Sequence, residues 1–166
     1  MQTVAVIGAT EDVGPAIVNE LAGRGYRLLL ISDNNNQIEI LTNRIRQSNS
    51  YTIVEMISCA KEGCWEADMI LLVGRLHNEV ELAEKIGEVA VGKIIVSVNP
   101  DGVNGAGEVY FEGLSKRGAA IRELLPNSNC VEVYGNESPE GFDVKIMSGK
   151  DMDTLKTVQM VLSAVC

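Results

Sequence analysis

The stretch that decides the fold lies at the start of the chain, where residues 4–14 read VAVIGATEDVG. A compact apolar run at 4–7 leads directly into Gly8, which is typical of a strand buried on both faces of a parallel sheet. Residues 14–24 then place Ile17, Val18 and Leu21 on one side of a helix that stops at Gly25. Strand, glycine turn and helix in this order are typical of the first unit of a doubly wound α/β domain.

The rest of the chain alternates in the same way, with short apolar runs between amphipathic segments. This alternation predicts a mostly parallel, doubly wound α/β sheet of the Rossmann type with helices on both faces, in one domain spanning residues 1–166. Asp151 is expected to cap a final helix. The predicted strands are 4–7, 28–31, 53–57, 69–73 and 94–98, with edge strands at 131–134 and 144–147, and the other predicted helices are 37–47, 79–86 and about 110–125.

Composition excludes several classes of function. With 23 acidic against 14 basic residues the net charge is −9, which argues against a nucleic-acid partner. No apolar run approaches the ~20 residues of a membrane span, and the N-terminus lacks a basic leader region, so we expect no membrane partner and a cytoplasmic location. The four cysteines form no CxxC pair and there is one histidine, so no metal site is expected.

The glycine turn carries the main functional signal, in Gly8, Ala9, Thr10, Glu11, Asp12, Val13 and Gly14. In a G-x-G-x-x-G turn the glycines allow a tight bend, close approach of a pyrophosphate, and close packing of the helix on the strand. Here the outer glycines are present, but Glu11 takes the place of the middle one. Asp12 is expected to cap the helix. Two carboxylates there would weaken dinucleotide binding by ~10 to 1,000-fold. The alternative that the domain keeps the Rossmann fold but no longer binds a dinucleotide therefore remains open.

A second signal is Ser32-Asp33 at the end of the second strand. An acid there accepts hydrogen bonds from the adenosine ribose and repels the 2′-phosphate of NADP, so NAD is favoured over NADP if a cofactor binds. The alternative is that Asp33 is an ordinary strand-end turn residue. Gly74 and Arg75, after the fourth strand, are candidates for lining the same cleft, and His77 is either a proton donor or a solvated group at a helix start.

Two other patterns fail on context or spacing. Residues 87–93, GEVAVGK, match a phosphate-binding loop in letters, but they precede a strand and Ile94 replaces the required Ser or Thr. No tyrosine has a lysine four residues on, which excludes the chemistry of short-chain reductases. No catalytic residue is assigned.

Taken together, VAVIGATEDVG, LLLISDNNN, MILLVGR, KIIVSVNP and FDVKIMSGKDMDTLKTVQMVLSAV resemble the deazaflavin (coenzyme F420)-dependent NADP oxidoreductase family over nearly all 166 residues. The resemblance implies a Rossmann domain whose GGTGNLG-type turn, here residues 8–14, cradles the pyrophosphate. It also implies that a Ser-Arg pair after the second strand takes the 2′-phosphate. Ser32 is kept, whereas Asp33 stands where the arginine would be.

Two functions follow as expectations. The first is an oxidoreductase-type domain that binds NAD(P)(H) and passes hydride to or from a second cofactor or small substrate. The second is a non-catalytic Rossmann module that senses a ligand or binds a partner. Because relatives continue into a helical half, the chain is expected to act as a homodimer, with a contact at NPDGVNGAG and Tyr110-Phe111.

Overall fold

The fold is built around one twisted sheet, seen in a computed structural model that describes residues 1–74, 78–99, 116–139 and 141–162. In the described residues the sheet has seven strands in the order β3-β2-β1-β4-β5-β6-β7. Strands β1 to β6 are parallel, and β7 pairs antiparallel with β6. The strands are β1 (Thr3–Ile7), β2 (Arg27–Ile31), β3 (Val54–Met56), β4 (Met69–Val73), β5 (Ile94–Asn99), β6 (Asn129–Ser138) and β7 (Gly141–Gly149).

Six helices flank the sheet in the described residues. They are α1 (Gly14–Ala22), α2 (Asn35–Ser48), α3 (Ala60–Glu66), α4 (Glu79–Ile86), α5 (Lys116–Leu124) and α6 (Met152–Leu162). Apolar side chains of α1, α2 and α6 share one core cluster, and those of α3, α4 and α5 share another on the opposite face. The prediction of a doubly wound Rossmann-like fold is therefore confirmed. None of the described helices is long and apolar enough to cross a membrane.

The sheet is covered on both faces, and its two central strands, β1 and β4, are mostly apolar. All five residues of β1 and of β4 are buried. Along β1, Val4 and Val6 face the cluster of α1, whereas Ala5 and Ile7 face the cluster of α3 and α4. Alternate residues of a strand point to opposite faces, so a continuous apolar run is what a two-sided core requires.

Two sequence expectations on the second half fare differently. Asp151 caps α6 as expected, because its Oδ2 accepts the N–H of Thr154 at 2.8 Å. The prediction that 131–134 forms an edge strand was wrong, since β6 pairs with β5 on one side and β7 on the other. Alternation in sequence reports that one face is polar, and it does not report how many neighbours a strand has. Of the predicted helix 110–125, residues 110–115 lie outside the described residues.

Candidate functional site

The candidate site lies where the direction of the winding reverses. From β1 the chain moves outward through β2 to β3, and then returns to the other side of β1 as β4. The connections after β1 and β4 therefore leave in opposite directions, and they open a crevice between the carboxyl ends of these two strands. In open α/β sheets, ligands bind at such a switch point.

Backbone geometry at the turn after β1 requires both outer glycines. Gly8 has φ +82°, and a Cβ built on it would lie 2.2 Å from the carbonyl oxygen of Val73. A Cβ on Gly14 would lie 2.5 Å from the carbonyl oxygen of Gly8 and 2.6 Å from that of Ala9. The turn thus passes against the end of β4, and α1 starts directly against the turn. These are the tight bend and close packing that the sequence pattern predicts.

Glu11 and Asp12 lie on the crevice side of this turn. A Cβ built on Gly74, the residue after β4, would lie 2.8 Å from the Glu11 Cβ and 3.1 Å from the Asp12 Oδ2. Both acidic residues are exposed, so their charges face the opening between β1 and β4. The lack of a side chain at Gly74, which has φ +75°, leaves room for them. Two negative charges therefore stand at the switch point.

Two backbone N–H groups of this turn are already hydrogen-bonded within the turn. The N–H of Glu11 donates to the Gly8 carbonyl at 2.9 Å, and the N–H of Gly14 donates to the Glu11 carbonyl at 2.6 Å. Pro15 has no N–H to offer. The expectation that Asp12 caps α1 was wrong, because the cap position is Val13 and it makes no side-chain cap bond. Asp12 instead takes φ +40°, a conformation that Asp tolerates better than most residues.

Hydrogen bonds tie this turn to the end of β2. Gly8 and Ala9 both donate their N–H groups to the Ile31 carbonyl, at 3.0 and 3.2 Å. The hydroxyls of Thr10 and Ser32 lie 2.5 Å apart, and the Ser32 Oγ also accepts the N–H of Asn34 at 3.1 Å. The two sequence signals, residues 8–14 and 32–33, are therefore adjacent in space.

An open cleft of about 780 Å³ extends from the end of β2 between α3 and α4. Ile7 and Ile31 contribute its apolar part at the sheet, and Leu82 contributes from α4. Ser32 and Asp33 line it on the β2 side, and Asp33 is exposed. Its volume falls within the ~300–1,000 Å³ of small-molecule sites.

Charges in this cleft are mostly negative and are arranged in pairs. The Lys85 Nζ lies 2.7 Å from the Glu81 Oε1, and the Lys61 Nζ lies 2.9 Å from the Glu88 Oε2. The pKa of Lys85 is raised, chiefly by its hydrogen bond to Glu81 and to a smaller degree by the charge of Asp33. The charged lining residues are four acids and two bases, namely Asp33, Glu81, Glu84, Glu88, Lys61 and Lys85. The charged residues on α3, on α4 and just after α4 form no sequence motif, so the sequence does not single them out, although the parallel topology places the starts of both helices at this edge.

A half-buried polar cluster lies at the carboxyl end of β5 and beside the middle of β6. Arg117 at the start of α5 pairs with Glu79 (Nε to Oε1 2.6 Å) and donates from Nη1 to the Asn99 Oδ1 at 3.3 Å. The Tyr134 hydroxyl donates to the Oε1 of Glu132 at 2.8 Å, and Glu132 is 1% exposed. Apart from Asn99, which follows the fifth predicted strand at this edge, the sequence points to none of these residues as a site. An isolated Glu in a strand carries no signal until its neighbours on β5 and α5 are known.

Several sequence candidates lie outside the described residues: Arg75, His77, residues 100–107 of the NPDGVNGAG stretch, and Tyr110-Phe111. Among the described residues, no group of three or more His, Cys, Asp or Glu side chains could hold a metal ion.

No protein-family model matches this sequence, and no curated protein sequence matches it. Solved structures do match. A pyrroline-5-carboxylate reductase from Coxiella burnetii superposes with a TM-score of 0.69 at 14% identity, over 97% of this chain and 55% of that one. A candidate F420-dependent NADP reductase from Arthrobacter sp. FB24 gives 0.62 at 14% identity, over 98% and 79%.

A pyrroline carboxylate reductase from Plasmodium falciparum, solved with NADP bound, gives a TM-score of 0.63 at 13% identity, over 98% of this chain and 54% of that one. This chain therefore spans about half the length of the two pyrroline carboxylate reductases. At these identities the likeness concerns the fold. The chain has the Rossmann fold seen in these reductases, with its own crevice at the β1–β4 switch point.

Proposed function

We propose that residues 1–166 form one domain of the oxidoreductase type, which binds a nicotinamide dinucleotide along the carboxyl edge of the sheet. The observation that carries the proposal is the crevice framed by Gly8, Gly14 and Gly74, which continues into the 780 Å³ cleft beside Asp33. Glycine backbone at a switch point, beside a cleft with an apolar part at Ile31 and Leu82, is the shape that a dinucleotide needs.

In this proposal each part of the ligand has its own residues. The pyrophosphate would lie against residues 8–14, and the adenosine ribose would hydrogen-bond to Asp33 beside Ser32. The adenine would enter the cleft against Ile31 and Leu82. Gly74, with Arg75, would line the way to the nicotinamide half, toward the ends of β5 and β6.

A bound nicotinamide would supply the hydride chemistry, and it needs little acid–base help. The chain's own task would be to hold and orient the dinucleotide, and the proposal is NAD in preference to NADP because Asp33 would repel a 2′-phosphate. We also propose that the chain acts in the cytoplasm as a homodimer, with a second cofactor or small substrate of unassigned identity. Light scattering at micromolar concentration tests the dimer.

A second candidate function is a non-catalytic module that senses a ligand or binds a partner. It is favoured by the charges of Glu11 and Asp12 at the crevice, and by the N–H groups of Glu11 and Gly14, which already have acceptors within the turn. Both features weaken a site for a pyrophosphate.

Titrations with NADH and NADPH, followed by nicotinamide fluorescence and by thermal shift, distinguish the two functions. We expect saturable NADH binding that is lost in Leu82→Glu, which places a charge in the apolar part of the cleft. Val91→Glu is the matched control, since Val91 is 57% exposed and does not line the cleft. If 5 mM NADH fails to bind both this protein and its Glu11→Gly variant, the dinucleotide proposal is wrong and the non-catalytic module is favoured.

A further inference from the structure

A second, smaller cavity lies at the opposite edge of the sheet. It has a volume of about 100 Å³ and is bounded by the last turn of α5, the start of β6 and the start of α6. Leu125 and Val131 form part of its wall, and Arg122, Cys130 and Lys150 also line it. A single water needs only ~10–15 Å³ of such space, so the cavity has room for a small ligand.

Arg122 is the residue that makes this cavity unusual. Its Nη2 atom is buried and has no hydrogen-bond partner among the described residues. No ion pair of Arg122 or of Lys150 is found within the described part of the chain. A buried guanidinium nitrogen without an acceptor is costly, so an acceptor from outside the chain would satisfy it.

The charge balance in the cavity is positive, although the whole chain carries −9. The two cations face one acid, Asp151, whose Oδ2 already accepts from the N–H and the hydroxyl of Thr154 at 2.8 and 2.5 Å. Burial raises the pKa of Cys130, and the charges of Arg122 and Lys150 act against that rise. Both cations therefore act on the same thiol, as expected if they converge on the cavity.

We propose that this cavity binds a compact oxyanion, a phosphate or carboxylate group, between Arg122 and Lys150. A planar guanidinium offers paired donors to such a group, and an ammonium adds a point charge. The apolar wall of Leu125 and Val131 suits a short carbon chain behind the anionic group. The site is independent of dinucleotide binding, because it lies at the other end of the strands.

Protection of Cys130 from alkylation tests the proposal directly. The intact protein is treated with iodoacetamide at constant ionic strength in NaCl, and Cys130 modification is followed by peptide mass spectrometry over a series of inorganic phosphate or butyrate concentrations. We expect saturable protection. A lower half-protection concentration for phosphate assigns a phosphate group, and a lower one for butyrate assigns a carboxylate with a short chain.

Charge-removing variants make the test specific. Arg122→Gln and Lys150→Gln should each raise the half-protection concentration by about 10-fold. Lys156→Gln removes the same charge from an exposed position on α6 outside the cavity and should leave it unchanged. If Arg122→Gln does not fold, the half-protection concentration of Lys150→Gln still tests the proposal. The proposal is wrong if Cys130 is not protected or if its protection does not saturate. It is also wrong if the half-protection concentration is the same in the cavity variants as in Lys156→Gln.

Discussion

The two edges of the sheet differ in a way that the fold alone does not predict. At the carboxyl edge, where the fold offers a crevice, Glu11 and Asp12 stand at the switch point and the adjoining cleft carries four acids against two lysines. At the amino edge, the small cavity below β6 carries Arg122 and Lys150 against one acid, Asp151, which already caps α6. The edge with room for a dinucleotide is the more negative of the two.

The difference teaches that shape and charge are set by separate parts of the structure. Shape at the carboxyl edge follows from backbone conformation, through glycines that the close contact of β1 and β4 requires. Charge depends on side chains that point outward from the same backbone and can change without loss of the fold. A retained glycine turn is therefore strong evidence for the fold and weaker evidence for an anionic ligand.

The largest expected effect is on the shape of the carboxyl edge. Gly8→Ala should lower the free energy of unfolding by roughly 3 kcal/mol or more, because it adds a Cβ 2.2 Å from the Val73 carbonyl oxygen at φ +82°. Gly25→Ala is the matched control at the amino edge, since Gly25 has φ +78° but nothing within 4 Å of a built Cβ. It should cost only the conformational strain, about 1 kcal/mol. Urea unfolding measures the free energy of unfolding of both variants. An equal decrease in Gly8→Ala and Gly25→Ala would contradict a role for the β1–β4 contact.

The next effect concerns the charge of the same edge. Glu11→Gly should tighten NADH binding by ~10-fold or more, because it removes a negative charge and a side chain beside Gly74. Glu11→Gln separates charge from bulk, and Glu39→Gln on the exposed face of α2 controls for net charge. Dissociation constants are compared in one buffer. Unchanged affinity in Glu11→Gly would show that this side chain does not oppose the ligand.

A smaller effect is expected on the choice between cofactors. The unaltered protein should prefer NADH to NADPH, and Asp33→Arg should shift the ratio of the two affinities by about 10-fold toward NADPH, since the 2′-phosphate gains a charged partner. Glu39→Arg makes the same charge change away from the cleft and should leave the ratio unchanged. If the unaltered protein binds NADPH more tightly than NADH, the proposal that Asp33 binds the adenosine ribose is wrong.

The smallest effect belongs to the amino edge. Asp151→Ala should lower the melting temperature at pH 7 by about 3 °C, because the cap on Thr154 is lost. The hydrogen bonds from Thr154 lower the pKa of Asp151 below its ordinary value, so its contribution to stability is complete above about pH 5 and disappears as the pH falls through the lowered pKa. The difference in melting temperature between the unaltered protein and Asp151→Ala should become smaller in that pH range. Asp153→Ala removes an acidic side chain from the same first turn but leaves the cap in place, so it should lower the melting temperature at pH 7 by less than Asp151→Ala. A difference between Asp151→Ala and the unaltered protein that persists at low pH would contradict the ionised cap as its cause.

The sequence by itself determined the order and class of the elements. The apolar runs of β1 and β4 are typical of strands buried on both faces, so periodicity and the two outer glycines of residues 8–14 sufficed for a doubly wound sheet. It also determined that Asp151 caps α6, since a cap is a contact within one turn of helix. These features depend on neighbours in the chain, which the sequence states directly.

Only the tertiary structure decided what lies beside what. The Asp12 cap failed because its backbone takes φ +40° in the turn, and β6 proved to be interior because β7 folds back against it. The pairing of Lys61 with Glu88, the action of the Asp33 charge on Lys85, and the meeting of Arg122 with Lys150 join segments far apart in sequence. Charges in such sites come from single residues on separate elements. No local pattern encodes them, and packing of the elements alone brings them together.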